Sequence, residues 1–141
     1  MKISAGVVII YDNKVLLCHP TNASKYNSYS FPKGGVNDKE GLISAAIREC
    51  LEETGIKIEE SQISKTFLVE YTKKNSALIT KKVHLFLVKI NSLEEVGLDS
   101  EVVPKSSLQL EEVDWAGFLT KDQCADKVFW RFKFIVEEVL K

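Results

Sequence analysis

The chain has 141 residues, 45% of them hydrophobic and 28% charged, which suits one globular domain over residues 1–141 with a core large enough to be stable alone. Its 19 lysines and arginines stand against 20 acidic residues, so no whole-molecule field draws it to DNA or a membrane, and any phosphate-handling surface must be local. Cys18, Cys50 and Cys124 form no Cys-x-x-Cys pair, which argues against a disulfide framework or structural zinc and for buried free thiols, while the short apolar run near the N-terminus gives no signal segment and leaves a cytoplasmic location as the expectation.

Residues 5–11 and 14–18 are apolar and β-branched and flank Asp12-Asn13, a turn pair that suits a hairpin. From His19 to Ser30 the chain is polar and rich in Ser, Asn and Tyr, which predicts a surface loop. Between Leu42 and Thr54 apolar residues at 43, 46, 47, 50 and 51 recur at helical spacing, and Gly55 stands where a left-handed cap ends a helix. Two strands are expected at 66–72 and 83–90, joined by the polar, lysine-bearing stretch 73–82. A short strand should hold Val113 to Phe118, after an irregular connection over 91–110. Thr120 with Gln123 makes a capping-box pattern, and Val128, Phe129, Phe132, Ile135, Val136, Val139 and Leu140 mark the stripe of a C-terminal helix. The order of elements predicts an α/β fold with a mixed β-sheet sandwiched between α-helices.

The polar face of the 42–54 helix carries Arg48, Glu49, Glu52 and Glu53. Positions three and four apart lie one above another, so the three glutamates share one space, and like charges so placed repel by a few tenths of a kcal/mol per pair on an open helix. A solvated helix face with an Arg48–Glu52 ion pair is the plain reading of such a cluster. The alternative is a positive occupant: carboxylate oxygens suit Mg²⁺, which keeps waters and substrate phosphates in its remaining positions.

The longer string GGVNDKEGLISAAIRECLEETGI, residues 34–56, resembles the Nudix box of hydrolases that act on nucleoside diphosphates linked to another moiety. Every fixed position matches; Cys50 stands where the family usually has an aliphatic residue, and is expected to be as buried. The resemblance implies that Glu49, Glu52 and Glu53 bind Mg²⁺, for which Mn²⁺ can substitute, with a main-chain carbonyl of Lys33 or Gly34. Arg48 would orient the glutamates, and Glu40 would anchor the loop against the helix start. The implied reaction is hydrolysis of a phosphoanhydride, with Glu49 as first choice for the base and Glu112, or its neighbour Glu111, as the alternative on a late loop.

Tyr71 and the stretch Tyr29-Ser30-Phe31-Pro32-Lys33-Gly34-Gly35 resemble marks of the diadenosine polyphosphate hydrolases, although the usual tryptophan before the box is missing. On this reading the leading substrates are dinucleoside polyphosphates such as diadenosine tetraphosphate. Nucleoside triphosphates, nucleotide sugars and RNA 5′ ends remain alternatives, as does a non-catalytic module that senses nucleotides. Tyr71 with Tyr26 or Tyr29 could stack on a base, Lys33 could meet a phosphate, and His84 could face the cleft, each against the commoner structural role of such side chains.

Overall fold

A computed structural model describes residues 1–141, and a six-stranded mixed sheet organises it. Strands β1 (Lys2–Tyr11), β2 (Lys14–Pro20), β3 (Lys33–Gly35), β4 (Ile63–Thr72), β5 (Ile79–Lys89) and β6 (Val113–Leu119) run in the order β4-β5-β1-β2-β6, with β3 paired to β1 off that path. Strand β1 lies parallel to β5, and every other pairing is antiparallel. The β1–β2 hairpin turns on Asp12 and Asn13, both with positive φ (49° and 55°), as a two-residue turn matched to the strand twist requires.

Strand β1 is buried from Ala5 to Ile10, a continuous apolar run that a strand covered on both faces needs. Its side chains alternate between two cores. Ala5, Val7 and Ile9 pack with Ala45, Ala46 and Cys50 of helix α1 (Leu42–Thr54), and Val8 and Ile10 pack with Ile135 and Val136 of helix α3 (Lys133–Val139). Helix α1 ends at Gly55, whose φ of 75° is the left-handed cap that its sequence predicts. The three cysteines are free and buried.

Four expectations are corrected. His19 belongs to β2 and is buried, because both ring nitrogens find oxygen partners there, so the loop starts at Thr21. The β4–β5 hairpin is longer than expected, and its connection shrinks to residues 73–78. Leu51 faces solvent at 47% exposure, while Ala45 takes a core place. The C-terminal stripe is not one helix: a four-residue helix α2 (Lys121–Cys124) and a 3-10 turn at Trp130–Phe132 precede α3. Tyr29 bridges to Val128: the Phe129 N–H donates to the Tyr29 carbonyl at 2.8 Å and the Lys127 carbonyl accepts the Tyr29 N–H at 2.9 Å, so these two groups serve the neighbouring loop and a continuous helix is interrupted there.

Candidate active site

A cleft of about 800 Å³ opens where the β3 turn, the polar face of α1, the segment before β6 and the start of β5 meet. Glu49, Glu52 and Glu53 line it together with Lys33, Gly34, Lys81 and Glu112. The β3 turn is forced close to the sheet: a Cβ on Gly6 of β1 would lie 2.3 Å from the Pro32 carbonyl oxygen, and the Val7 N–H donates to that oxygen at 3.1 Å.

Arg48 is the hub of the α1 face. Its Nε donates to Glu40 Oε2 at 2.8 Å and its Nη2 to Glu40 Oε1 at 2.9 Å, a two-pronged pairing of guanidinium and carboxylate. Nη2 also reaches the Gly35 carbonyl at 2.9 Å, while Nη1 donates to Glu49 Oε1 at 2.9 Å and Glu52 Oε2 at 3.2 Å. The guanidinium thus joins the turn before the helix to two of the three glutamates. The plain Arg48–Glu52 pair exists, but as one contact among several.

The Arg48 bonds and the Asn37 N–H hold the Glu40 carboxyl down at about 2, below its ordinary 4.5. A depressed carboxyl stabilises the fold above the ordinary value, and that contribution is lost as pH falls from about 4.5 to about 2. The thermal unfolding midpoint of Glu40→Gln is therefore expected to lie below that of the wild type at pH 6, with the gap closing as both are taken down through that window. A gap that stays constant with pH would remove Glu40 from this role.

Glu53 has the opposite environment. It is buried, its Oε1 accepts the Lys33 N–H at 3.1 Å, and its carbonyl accepts the Gln109 N–H at 3.1 Å. Burial pushes its carboxyl up to about 8, with Glu49 and Glu112 adding to the rise and Lys33 opposing it. Lys33 is lowered to about 8, by burial first and by the neighbouring Lys81 ammonium second. The cleft thus gathers two acidic groups, Glu49 and Glu53, and two basic ones, Lys33 and Lys81, and burial disfavours the charged form of one member of each pair.

As the side chains stand, no three His, Cys, Asp or Glu groups converge into a coordination shell, since Glu49 and Glu52 are turned to Arg48. The donor chemistry nevertheless fits a hard divalent cation: a carboxyl pushed upward by burial first and by its acidic neighbours second is relieved by positive charge, and carboxylate oxygens with a main-chain carbonyl are the donors Mg²⁺ and Mn²⁺ take. Glycine at position 34 keeps the space clear, because a Cβ there would meet the Glu49 carboxyl at 2.2 Å.

The other expected site residues are distributed differently. Glu112 lines the cleft and Glu111 does not. Tyr71 stands behind the lining, with the Lys81 Nζ 5.3 Å and the Arg131 guanidinium 4.6 Å from its ring centre. Tyr29 is packed between His19 and Trp115, with ring centres 4.9 Å and 6.0 Å away, and Tyr26 is 66% exposed on the loop. His84 is not in the cleft: it shares its face of β5 with Phe86 and Val88, on the α1 side, whereas Lys81 falls with Val83 and Leu85 on the other. Lys81, in the sequence one of the lysines of the 73–82 stretch and not an expected site residue, lines the cleft. Its alternation with Val83 and Leu85 was visible in the sequence; its approach to Lys33 depends on β5 lying beside β1.

A family model described as NUDIX domain matches residues 1–129. Among solved structures, the MutT NUDIX hydrolase from Burkholderia pseudomallei superposes with a TM-score of 0.70 at 18% identity, covering 98% of this chain and 97% of that one. A Caenorhabditis elegans Ap4A hydrolase, solved as a binary complex, gives 0.68 at 21% identity with 98% and 94% covered. A bifunctional NMN adenylyltransferase/ADP ribose pyrophosphatase from Francisella tularensis, solved with AMP and a Mn ion, gives 0.64 at 17% identity, with 97% of this chain and 41% of that one covered. No curated protein matches the chain. At these identities the likeness to solved structures establishes the fold, and the family model establishes the family.

Proposed function

The chain belongs to the Nudix family of pyrophosphohydrolases, which act on compounds containing a linked nucleoside diphosphate and generally use a divalent metal, and from that premise we propose that its preferred substrates are dinucleoside polyphosphates such as diadenosine tetraphosphate. The observation that carries the choice is the convergence of Lys33 and Lys81 beside Glu49 and Glu53 in one cleft. Two ammonium groups that each raise the other's energy form a seat for a chain of phosphates, with the carboxylates beside it. The likeness to an Ap4A hydrolase fits this reading.

In the proposed reaction Glu49 accepts the proton of the attacking water, and Glu112 is the second candidate from the segment before β6. Arg48 orients Glu49 and Glu52 through the bonds that tie it to Glu40 and Gly35. A divalent cation held by Glu49, Glu52 and Glu53, with a main-chain carbonyl at Lys33 or Gly34, would supply charge neutralisation on the phosphate oxygens and a more acidic water. Lys33 and Lys81 hold the phosphates that do not react, Tyr71 backs Lys81, and Tyr26 is the loop aromatic free to meet a base.

With Mg²⁺ present, diadenosine tetraphosphate is expected to be hydrolysed with a kcat/KM at least about 10-fold above that for ADP-ribose, a nucleotide sugar, a nucleoside triphosphate and 5′-triphosphorylated RNA, a gap of the size that one or two charged contacts supply. Preference for any of those competitors would overturn the substrate assignment, and negligible turnover of all of them would favour a nucleotide-sensing module. Lys81→Ala is expected to raise KM for the tetraphosphate about 10–100-fold with a smaller change in kcat, the worth of a hydrogen bond to a charged group.

A further inference from the structure

His19 lies in a setting that accepts hydrogen bonds on both sides of its ring. Its Nδ1 is 2.6 Å from Asp114 Oδ1, and its Nε2 is 3.1 Å from the Ala23 carbonyl oxygen and 3.0 Å from that of Ser24. Carboxylate and carbonyl oxygens only accept, and a neutral imidazole carries one N–H, so a neutral ring would leave one nitrogen lone pair facing oxygen. Both contacts are satisfied together only by the imidazolium. We propose that His19 is a positioning residue, an imidazolium clasp that ties the 21–28 loop to strand β6 beside the cleft, where Pro20, Glu112 and Val113 line it.

The groups it joins border the site. Asp114 is two residues after Glu112, which lines the cleft. The loop is tied to the same segment: the Thr21 N–H donates to the Glu112 carbonyl at 3.0 Å and the Thr21 hydroxyl to the Leu110 carbonyl at 2.7 Å. Within the loop the Tyr26 N–H donates to Ser24 Oγ at 3.1 Å, and the Ser28 hydroxyl to the Ser24 carbonyl, so the Ser24 peptide that His19 grips is a centre of the loop's own bonding. The titratable groups facing the ring are Asp114 from β6 and Tyr29 from the far end of the loop, whose ring centre is 4.9 Å away. Asp114 keeps 41% of its side-chain surface in water, where its negative charge is solvated.

Burial of the ring opposes the cation, but Asp114 and the two carbonyls outweigh it and the imidazole is raised above its ordinary 6.5. A raised imidazole holds the clasp fully below the ordinary value, and the clasp loosens as pH climbs through the raised one. The loop therefore opens on the alkaline side, not the acid side.

The chain has two histidines, so a long-range ¹H–¹⁵N imidazole spectrum of the full-length protein resolves them, with His84→Gln assigning the pair. At about pH 6 both His19 nitrogens are expected to be protonated, with a midpoint above the ordinary 6.5, and Asp114→Asn is expected to move that midpoint downward. Amide exchange of residues 21–28, corrected for intrinsic rates, is expected to be about 10-fold faster in His19→Gln than in the wild type at that pH, and to accelerate in the wild type as pH rises through the His19 midpoint. A neutral His19 tautomer at about pH 6, a midpoint at or below the ordinary 6.5, or equal loop protection in His19→Gln and wild type across the range, overturns the proposal. None of these readouts needs substrate, so a failed substrate assignment and a failed clasp are told apart.

Discussion

Replacing Glu49 or Glu53 with Gln is expected to lower metal-dependent turnover by about 10²–10⁴-fold while the protein stays folded, the range that loss of a general base or of an essential charge at the reacting centre produces. The Glu53 variant carries a second signature. Because the folded-state Glu53 carboxyl stands near 8 instead of 4.5, the folded protein retains a proton that the unfolded chain releases, and wild-type stability falls as pH rises from about 4.5 to about 8. An uncharged glutamine lacks that fall. Metal-free Glu53→Gln is therefore expected to match or exceed the wild type in thermal unfolding, by an amount that grows with pH to on the order of 1–3 kcal/mol at about pH 8.5. Millimolar Mg²⁺ should reverse the order, raising the wild-type midpoint and not the variant's, since a ligand that binds only the folded state stabilises it. Wild-type turnover in both glutamine variants would sink the site assignment; unchanged pH dependence of stability would sink the account of Glu53.

The second large effect separates catalysis from folding by comparing two glycines. A Cβ at Gly34 meets the end of the Glu49 side chain at 2.2 Å, and a flexible carboxylate can swing aside. Gly34→Ala is expected to keep the unfolding midpoint within a few degrees but to cut turnover about 10²-fold or more, because Glu49 must leave both its place in the cleft and its 2.9 Å bond from Arg48. A Cβ at Gly6 instead meets the Pro32 carbonyl at 2.3 Å and the Lys33 Cβ at 2.5 Å, and the crowding is borne by the sheet. Gly6→Ala is expected to destabilise by about 1–3 kcal/mol, a drop of about 3–10 °C in midpoint for a chain of this size. Calorimetry and steady-state rates on the two purified variants decide the matter: equal losses of stability would mean that Gly34 serves the fold and not Glu49.

Much of this was legible because it is local. Helix α1 declares itself by apolar spacing within fourteen or so residues and by the left-handed glycine that ends it, and the glutamates fall on one face by the helical period alone. The Asp12-Asn13 turn and the Thr120–Gln123 capping box are equally short-range, and both appear as expected. The C-terminal stripe misled because its apolar pattern says which residues are buried, not whether their backbone bonds run along a helix or across to Tyr29. His19 was misread as loop for a related reason: a polar residue in a polar stretch looks solvated until Asp114 and the Ala23 and Ser24 carbonyls are brought to it.

By itself the sequence determined the family box, the carboxylate face of α1 and the apolar opening hairpin, since periodicity and spacing are properties of neighbouring residues. Only the tertiary structure decided that Arg48 spans Glu40, Gly35, Glu49 and Glu52 at once, that Glu112 and not Glu111 reaches the cleft, and that Lys81 arrives beside Lys33. The meeting of the lysines follows from the parallel pairing of β5 with β1 and the pairing of β3 with β1, which seats position 81 opposite Lys2 and position 33 opposite Gly6. Such pairings are chosen by burial of the whole sheet, so the charges they bring together cannot be read from either segment alone.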